Sequence, residues 1–282
     1  MVLTRRNFLQ SATVAAAGGA LLTLPETSFA KQKIKAPGIQ LYTVRAEMAK
    51  DFEGTLKAVA ALGYKEFEFA GYNNKSPQEV KTLLGNLGVT APSAHFALAE
   101  FDKNINKTID IAKGVGHSIL ICPFLMPDQR KTLDDYRKVA AILNKAGEAC
   151  KKAGITFGYH NHDFEFKEVE GKLPMDLLLA ECDKNLVKIE LDLGWMTYAG
   201  KDPVEYFTKH PGRFINFHVK DMNPSTKEIT VELGRGNVDF KRIFAKSKLA
   251  GVKHYFVEQD RSTMSPLESI KISMEYLKNL EF

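Results

Sequence analysis

The sequence has few cysteines, a single tryptophan and little net charge. It contains 3 cysteines in 282 residues, too few for the disulfide framework of a small secreted scaffold. The formal charge of +5 is too small for a protein that binds a nucleic-acid backbone. With 44% hydrophobic residues the chain is too apolar to be disordered, and it lacks the repeated long apolar runs of a polytopic membrane protein. These absences favour a globular protein that binds no nucleic acid.

The cysteines also bear on the redox state of the chain. Cys122, Cys150 and Cys182 are odd in number and lie within apolar stretches. Cysteines in such surroundings usually behave as small apolar core residues. We therefore expect three free, buried thiols and not cystines.

The first thirty residues are typical of an export signal. A charged start with Arg5 and Arg6 precedes a short apolar run at 11–24, and small residues at 28–30 suit cleavage. The string TRRNFLQ resembles the twin-arginine signal, whose export machinery carries folded proteins. The apolar run is shorter than the roughly 20 residues that span a membrane. We therefore expect periplasmic release without stable membrane insertion, with residues 31–282 as the mature domain.

Short β-type runs alternate with helical patterns throughout the mature domain. Eight runs predict strands, at 38–43, 64–70, 90–95, 118–122, 155–160, 187–192, 214–219 and 253–258. Helix starts agree, since Ser76 and Asp202 each place a capping side chain before a proline and Thr132 begins a capping box. Eight strand–helix units in a chain of this length predict a closed, single-domain (β/α)8 TIM barrel.

Two other folds use similar elements. An open doubly wound sheet carries a glycine-rich phosphate turn after its first strand, and residues 40–45 (QLYTVR) form no such turn. A two-lobed binding protein would show a change of composition in mid-chain, and the sequence shows none. The barrel is therefore the favoured fold.

Polar residues concentrate at the predicted strand ends, where a TIM barrel places its active site. Side chains alternate along a strand, so those that share a face can be selected. Strands five to eight each contribute one such residue: His160, Asp192, His218 and Glu258. Imidazole and carboxylate together suit Mn²⁺, Co²⁺, Zn²⁺ or Fe²⁺. The pattern predicts one divalent metal ion, the alternative being that each residue caps a helix or binds loop backbone.

At these residues the chain resembles the xylose isomerase-like barrels, often called the sugar phosphate isomerase/epimerase group. The resemblance is carried by YHNHDFEF (159–166), ELDLGW (190–195), HVKD (218–221), ELGRGNVDF (232–240) and VEQD (257–260). It implies one metal ion held by Glu, Asp, His and Glu from strands five to eight, with Asp192, His218 and Glu258 in the last three places. His160 stands where the family has its first Glu.

This departure changes the expected chemistry. The family's epimerases are thought to use the two metal-bound Glu residues as bases on opposite faces of a carbon, and here only Glu258 is available. Trp195 also replaces a His of the family pattern. Lys220, whose pKa a nearby metal ion would lower, and His162 are the other candidate bases. A salt bridge from Lys220 to Glu258 or Asp221 is the purely structural alternative.

Other side chains are candidates for binding a substrate. They lie at strand ends or in the loops that follow: Gln40, Glu68, His95, Trp195 and Arg235. Trp195 is suited to stacking on a sugar ring. Arg235 lies between two glycines in a region where barrels often bind phosphate. Because sugar phosphates are not expected outside the cytoplasm, we interpret these glycines as loop geometry and expect Arg235 to contact a hydroxyl.

Two activities are consistent with this site. A divalent metal ion polarises a carbonyl and makes the neighbouring proton removable. Our first hypothesis is a metal-dependent sugar isomerase or epimerase that works through an enediolate on a non-phosphorylated sugar or glycoside. The alternative is a metal-dependent β-eliminating lyase or dehydratase acting on a keto-sugar of the 3-keto-glycoside or inosose type.

A sugar-binding protein without turnover would not need Lys220 beside a metal ion. Expected partners are the small sugar, the export machinery and a second copy of the chain.

Overall fold

The structure, a computed structural model, describes residues 31–223 and 231–282. The export signal predicted at 1–30 lies outside these described residues. Gln32–Phe282 form one compact unit. In the described part of the chain, no helix is long and apolar enough to cross a membrane.

Eight parallel strands pair in the order of the sequence, and the last strand pairs with the first to close a barrel. They are β1 (Gly38–Gln40), β2 (Glu66–Phe69), β3 (Thr90–His95), β4 (Ile119–Cys122), β5 (Thr156–His160), β6 (Val187–Asp192), β7 (Phe214–Val219) and β8 (His254–Val257). The predicted single-domain (β/α)8 barrel is confirmed.

Several strands are shorter than predicted, and for β1 a side chain that binds the backbone is the reason. β1 ends three residues early because the Gln40 side chain accepts a hydrogen bond from the Tyr42 backbone N–H at 2.9 Å. That bond starts a short 3₁₀ turn, Leu41–Val44. β8 ends at Val257, so Glu258 is the first residue beyond the barrel wall.

Helices follow the strands and cover the outside of the barrel. Among the described residues the α-helices are α1 (Arg45–Lys50), α2 (Phe52–Ala61), α3 (Pro77–Leu87), α4 (Leu98–Lys103), α5 (Ile105–Val115), α6 (Leu133–Lys152), α7 (Pro174–Glu181), α8 (Leu193–Tyr198), α9 (Pro203–Lys209), α10 (Phe240–Phe244), α11 (Ser247–Ala250) and α12 (Pro266–Asn279). The predicted caps at Ser76, Thr132 and Asp202 are confirmed, since each side chain accepts a hydrogen bond from a first-turn N–H.

Apolar side chains fill the layer between strands and helices. The three cysteines lie within this layer as free, buried thiols, as expected. A separate small cluster joins Ile119 and Ile121 of β4 to Ile215 of β7. Because β4 and β7 are not neighbours in the closed barrel, this contact crosses the barrel interior. The rest of the interior toward the carboxyl ends of the strands is largely polar.

Gly147 allows α6 to lie close to the chain before β6. A Cβ atom added there would meet the Leu186 carbonyl oxygen at 2.6 Å. By contrast, Gly85 in α3 is exposed and has nothing within 4 Å of an added Cβ atom. Both glycines lie within helices, but only Gly147 is packed against another part of the backbone.

Replacing each glycine with alanine should have opposite effects on stability. Alanine favours a helix over glycine by about 0.5–1 kcal/mol, so Gly85→Ala should raise the free energy of unfolding by that amount. Gly147→Ala should lower it by about 1–3 kcal/mol, because the backbone at Leu186 must move. Urea unfolding of both variants measures the difference. Equal stabilisation by both substitutions would contradict the close approach at α6.

Candidate active site

Charged side chains are buried together at the carboxyl ends of the strands. The carboxylates are Glu68, Glu190, Asp192 and Glu258, and the nitrogen-bearing side chains beside them are His95, His160, His218 and Lys220. Burying a carboxylate is costly unless positive charge or hydrogen bonds accompany it. The site therefore requires positive charge, and its hydrogen bonds show how that requirement is met.

The four residues predicted to bind a metal ion are brought together. One ligand atom from each of His160, Asp192, His218 and Glu258 can be chosen so that all lie within 4.8 Å of one another. Two buried atoms of the set make no hydrogen bond, His160 Nδ1 and Asp192 Oδ2. Asp192 Oδ2 lies 2.9 Å from Lys220 Nζ, but without hydrogen-bond geometry. His160 Nδ1 likewise lies 3.2 Å from Glu190 Oε2 without hydrogen-bond geometry. Buried imidazole and carboxylate atoms that make no hydrogen bond fit a divalent cation of the borderline class.

A second, overlapping group lies beside the first. His95 and Glu190 join His160 and His218 within the same 4.8 Å limit. Glu190 precedes Asp192 by two residues on β6, so both side chains lie on the same face of the strand. That spacing was visible in the sequence, but it did not indicate that Glu190 would contact three histidines.

His218 is held between carboxylates on both sides of its ring. Its Nδ1 lies 2.8 Å from Glu258 Oε2, and its Nε2 lies 2.7 Å from Glu68 Oε2. Burial lowers the pKa of His218, but Glu190, Glu258 and Glu68 outweigh burial and raise the pKa well above its usual value. For His160, burial and the neighbouring His218 leave the pKa lowered. His160 is thus a neutral imidazole, the form that binds metal ions.

Lys220 is fully buried among three carboxylates. Its Nζ lies 2.7 Å from Asp260, 2.9 Å from Asp192 and 3.0 Å from Glu258. Burial lowers the pKa of Lys220, but these charges more than offset it and raise the pKa well above its usual value. The lowered pKa expected beside a bound metal ion stays a prediction, because the raised pKa reflects the carboxylates alone, which hold Lys220 in its charged ammonium form. The predicted salt bridge to Glu258 is present.

Gly194 leaves the space that Lys220 occupies. A Cβ atom at position 194 would lie 2.8 Å from Lys220 Cγ and 3.0 Å from the Lys220 carbonyl oxygen. α8 therefore crosses the Lys220 stem only because residue 194 lacks a side chain. The packing of Lys220 therefore explains why residue 194 of the ELDLGW segment is a glycine.

His162 lies at the surface of the cavity above this cluster. Its ring stacks on Phe164 with centroids 5.4 Å apart and lies 5.4 Å from the Trp195 ring. Burial, with smaller contributions from His160 and Lys220, lowers the pKa of His162 to about 2. The backbone N–H of His162 donates to the buried Glu165 carboxylate at 2.8 Å. His162 is consequently a rigidly held neutral imidazole.

Three predicted substrate-binding residues lie away from the cavity surface. Gln40 and Glu68 are fully buried and hydrogen-bonded to each other at 2.8 Å, so they support the histidines from below.

Arg235 is half exposed and pairs with Glu232 at 2.9 Å. Its loop is fixed by Asp221, whose carboxylate accepts hydrogen bonds from the backbone N–H groups of Met222, Gly234, Gly236 and Val238. The expected contact of Arg235 with a substrate is not supported by this placement, whereas the interpretation of the glycines as loop geometry is.

The cavity has one polar and one apolar wall. Its volume is about 540 Å³, and its polar wall contains His95, His160, His162, Glu258 and Asp260. Of the predicted substrate-binding residues, His95 therefore lines it, while Trp195 packs beside His162 at its margin. Asp260 was not assigned a role from the sequence, although it follows Glu258 by two residues. The apolar wall comes from the loops after β1 to β4, which show no motif of their own.

Comparison with known proteins agrees with this architecture. A family model described as xylose isomerase-like TIM barrel matches residues 56–280. The chain belongs to this family. An inosose dehydratase from Clostridium botulinum is 26% identical over 269 residues, covering 80% of this chain and 89% of the relative. The family resemblance expected from the sequence is thereby confirmed.

Solved structures also align over most of the barrel. A sugar phosphate isomerase/epimerase from Parabacteroides distasonis is 27% identical, with a TM-score of 0.78, and the match covers 88% of this chain and 99% of that one. An L-ribulose 3-epimerase has 15% identity and a TM-score of 0.67, covering 87% of this chain and 94% of that one. At that identity the second likeness shows the fold alone. The relatives include both lyases and epimerases, and they support an enzyme.

If the four-residue cluster binds a metal ion, losing one imidazole should weaken binding. His218→Gln should release Mn²⁺ during dialysis, by about 10-fold or more in affinity, because a ligand and its carboxylate contacts are lost together. His254→Gln is the matched control, since His254 lies on the neighbouring strand and also pairs with a Glu, Glu66, at 2.8 Å. Metal content after equilibrium dialysis measures both. Equal retention by the two variants would exclude His218 as a ligand.

Removing the Lys220 charge should expose its importance for stability. Lys220→Met leaves carboxylates buried without their cation and should lower the free energy of unfolding by about 3–5 kcal/mol. Lys167→Met removes the cation of an exposed pair with Asp163 and should cost at most about 1 kcal/mol. Urea unfolding with and without Mn²⁺ measures the two effects, and added Mn²⁺ should restore part of the stability lost in Lys220→Met. If Lys220→Met lowered the free energy of unfolding by less than Lys167→Met does, the buried carboxylates would not depend on Lys220.

Proposed function

We propose that this protein is a carbon–oxygen lyase that removes water or an alcohol from a keto-sugar or keto-cyclitol. The relatives named inosose dehydratase favour this activity over the sugar isomerase or epimerase of the first hypothesis. The substrate in this proposal is not phosphorylated, because Arg235 pairs with Glu232 away from the cavity. The export signal predicted at residues 1–30, and with it a periplasmic location, belongs to the same proposal.

The observation that carries this proposal is the unequal set of proton-transfer groups around the cavity. Epimerisation by two bases needs a base on each face of the reacting carbon, and the place of one of the family's two carboxylates is taken here by His160, a buried imidazole whose pKa is lowered. Elimination needs one base and one acid. Glu258 and the pair formed by Lys220 and Asp260 supply these two functions on the same side of the cavity.

Glu258 is the proposed base. Its Oε2 is held by His218 and Lys220, at 2.8 and 3.0 Å, and no hydrogen bond to its Oε1 is present among the described residues. Burial raises the pKa of Glu258, but Lys220 and His218 outweigh it and lower the pKa well below the usual value. The carboxylate is therefore ionised and fixed in direction, with one oxygen available to take the proton next to the ketone.

The pair of Asp260 and Lys220 is the proposed source of the proton for the leaving oxygen. Asp260 lines the cavity and its Oδ2 accepts a hydrogen bond from Lys220 Nζ at 2.7 Å. Burial raises the pKa of Asp260 against the opposing charge of Lys220. Lys220 does not line the cavity, so it acts through Asp260 as a positioning residue. A proton delivered to the β-oxygen lets it leave as water or an alcohol.

A divalent cation is part of the proposed activity. His160, Asp192, His218 and Glu258 would hold it, and when bound it would polarise the ketone of the substrate as a Lewis acid. His160 Nδ1 and Asp192 Oδ2, which are buried and make no hydrogen bond, support this assignment.

The reaction class can be tested in D₂O with an inosose and with a 3-keto-glucoside. Elimination should give a product that has lost water or the alcohol, whereas an epimerase would give a product of unchanged composition carrying deuterium. Glu258→Gln should lower kcat by about 10²- to 10⁴-fold, as expected for loss of a general base. Glu66→Gln is the control and should retain activity, because Glu66 begins β2 and so lies at the end of the barrel opposite to Glu258. Deuterated product without loss of water or alcohol would refute the lyase and restore the first hypothesis.

A further inference from the structure

The apolar wall of the cavity has no part in the proposed elimination itself. Five large apolar side chains are exposed in the described part of the chain, and three of them line this one cavity. Tyr42 is 44% exposed, Phe124 37% and Met126 56%. Exposed apolar side chains scattered singly need no explanation, but a concentration of them at a cavity marks a binding surface.

The rest of the apolar wall has the same character. It is built from small or aliphatic residues after β2, β3 and β4, namely Ala70, Ala97, Leu98, Ala99 and Pro123. Gln129 is the polar residue among them, and its side-chain oxygen already accepts a hydrogen bond from the Met126 backbone N–H at 2.8 Å. This wall offers few groups to bind sugar hydroxyls. A second sugar unit would therefore leave its hydroxyls without partners there.

Neighbouring side chains hold the two exposed aromatic rings in place. The Arg45 guanidinium lies 4.0 Å from the Tyr42 ring centroid and also donates to the Tyr42 carbonyl oxygen at 2.7 Å. Phe124 meets His162 and Phe164 edge to face, with centroids 5.0 and 5.5 Å apart. Rings held in this way lose little freedom when a ligand covers them.

The volume of the cavity also exceeds the needs of a single ring. At about 540 Å³ it lies within the range of roughly 300–1,000 Å³ typical for drug-sized ligands. A free six-membered keto-sugar placed against Glu258 and Asp260 would leave the space beside Phe124 and Met126 filled only by water. Covering that apolar surface with an apolar group is favourable.

We infer that the substrate is a keto-glycoside with an apolar, preferably aromatic, aglycone, and that Phe124 and Met126 determine this preference. The inference rests on the proposed lyase activity and names its substrate class. In the reaction, the C–H bond beside the ketone breaks and Glu258 takes the proton. The bond from the anomeric carbon to the aglycone oxygen breaks, a ring C=C bond forms, and the oxygen leaves as a phenol or alcohol with the proton from Asp260. No electrons are gained or lost overall.

Binding of unoxidised glycosides tests the preference without any turnover. Trp195 is the single tryptophan of the chain and lies beside His162, so its fluorescence reports on ligands in the cavity. Phenyl β-D-glucopyranoside should bind at least about tenfold more tightly than methyl β-D-glucopyranoside, as expected when an aromatic ring is buried. Equal affinities, or no detectable binding of either glycoside, would overturn the inference.

Variants of the apolar wall locate the preference. The double variant Phe124→Ala, Met126→Ala should reduce the ratio of the two affinities to near one, and Met126→Ala alone should reduce it in part. Leu249→Ala is the control, because Leu249 is similarly exposed, at 42%, but lies away from the cavity. It should keep the full ratio. A ratio that survives in the double variant would also overturn the inference.

Turnover separates this inference from the proposed function. The 3-keto form of the phenyl glucoside should release phenol with a kcat/KM at least about tenfold above that for water loss from an inosose or for cleavage of a 3-keto-disaccharide. Equal rates on all three would reject the aglycone preference and leave the lyase intact. A preference in binding, with no elimination from any keto-substrate, would reject the lyase and leave the binding preference standing.

Discussion

Negative charge buried inside the barrel is the constraint on which the rest of the site depends. Four carboxylates lie where water reaches them poorly, and each must be balanced within a few ångströms. The chain balances them in two ways, with the fixed cation of Lys220 and with imidazoles that accept protons in response. The pKa of His95 is raised to about 9 even though burial alone would lower it, since Glu68 and Glu190 lie against it. The same demand makes the cluster suitable for a divalent cation.

The barrel fold makes this concentration of charge possible. Neighbouring parallel strands place residues of distant sequence position side by side, as Asp192 and His218 are placed in the register of β6 and β7. Support comes from structure beneath and beside the site: Gln40 and Ser93 hold Glu68, and Asp221 holds residues 234–238 after β7. The reactive groups are therefore fixed by residues that never meet a ligand, which is how a preorganised site is maintained.

Sequence reasoning was most successful where periodic patterns determine structure. The bounds of β3, β6 and β7 agree with the prediction residue by residue. Alternation along the strands also identified His160, Asp192, His218 and Glu258 as neighbours. It could not give the pKa direction of Lys220, which depends on distances to Asp192, Glu258 and Asp260. Nor could it find Phe124 and Met126, since loop residues follow no period and their position depends on the whole barrel.

The cavity is divided according to position along the chain. Apart from His95, its reactive groups come from strands five to eight, while its apolar wall comes from the loops that follow strands one to four. In the proposed reaction, the residues that act on the bond and those that select the group attached to it are thus encoded in separate stretches of sequence. Under the same proposal, substitutions in the first half can alter which molecules enter without disturbing the proposed acid and base. A barrel divided in this way can acquire new substrates during evolution while its chemistry is preserved.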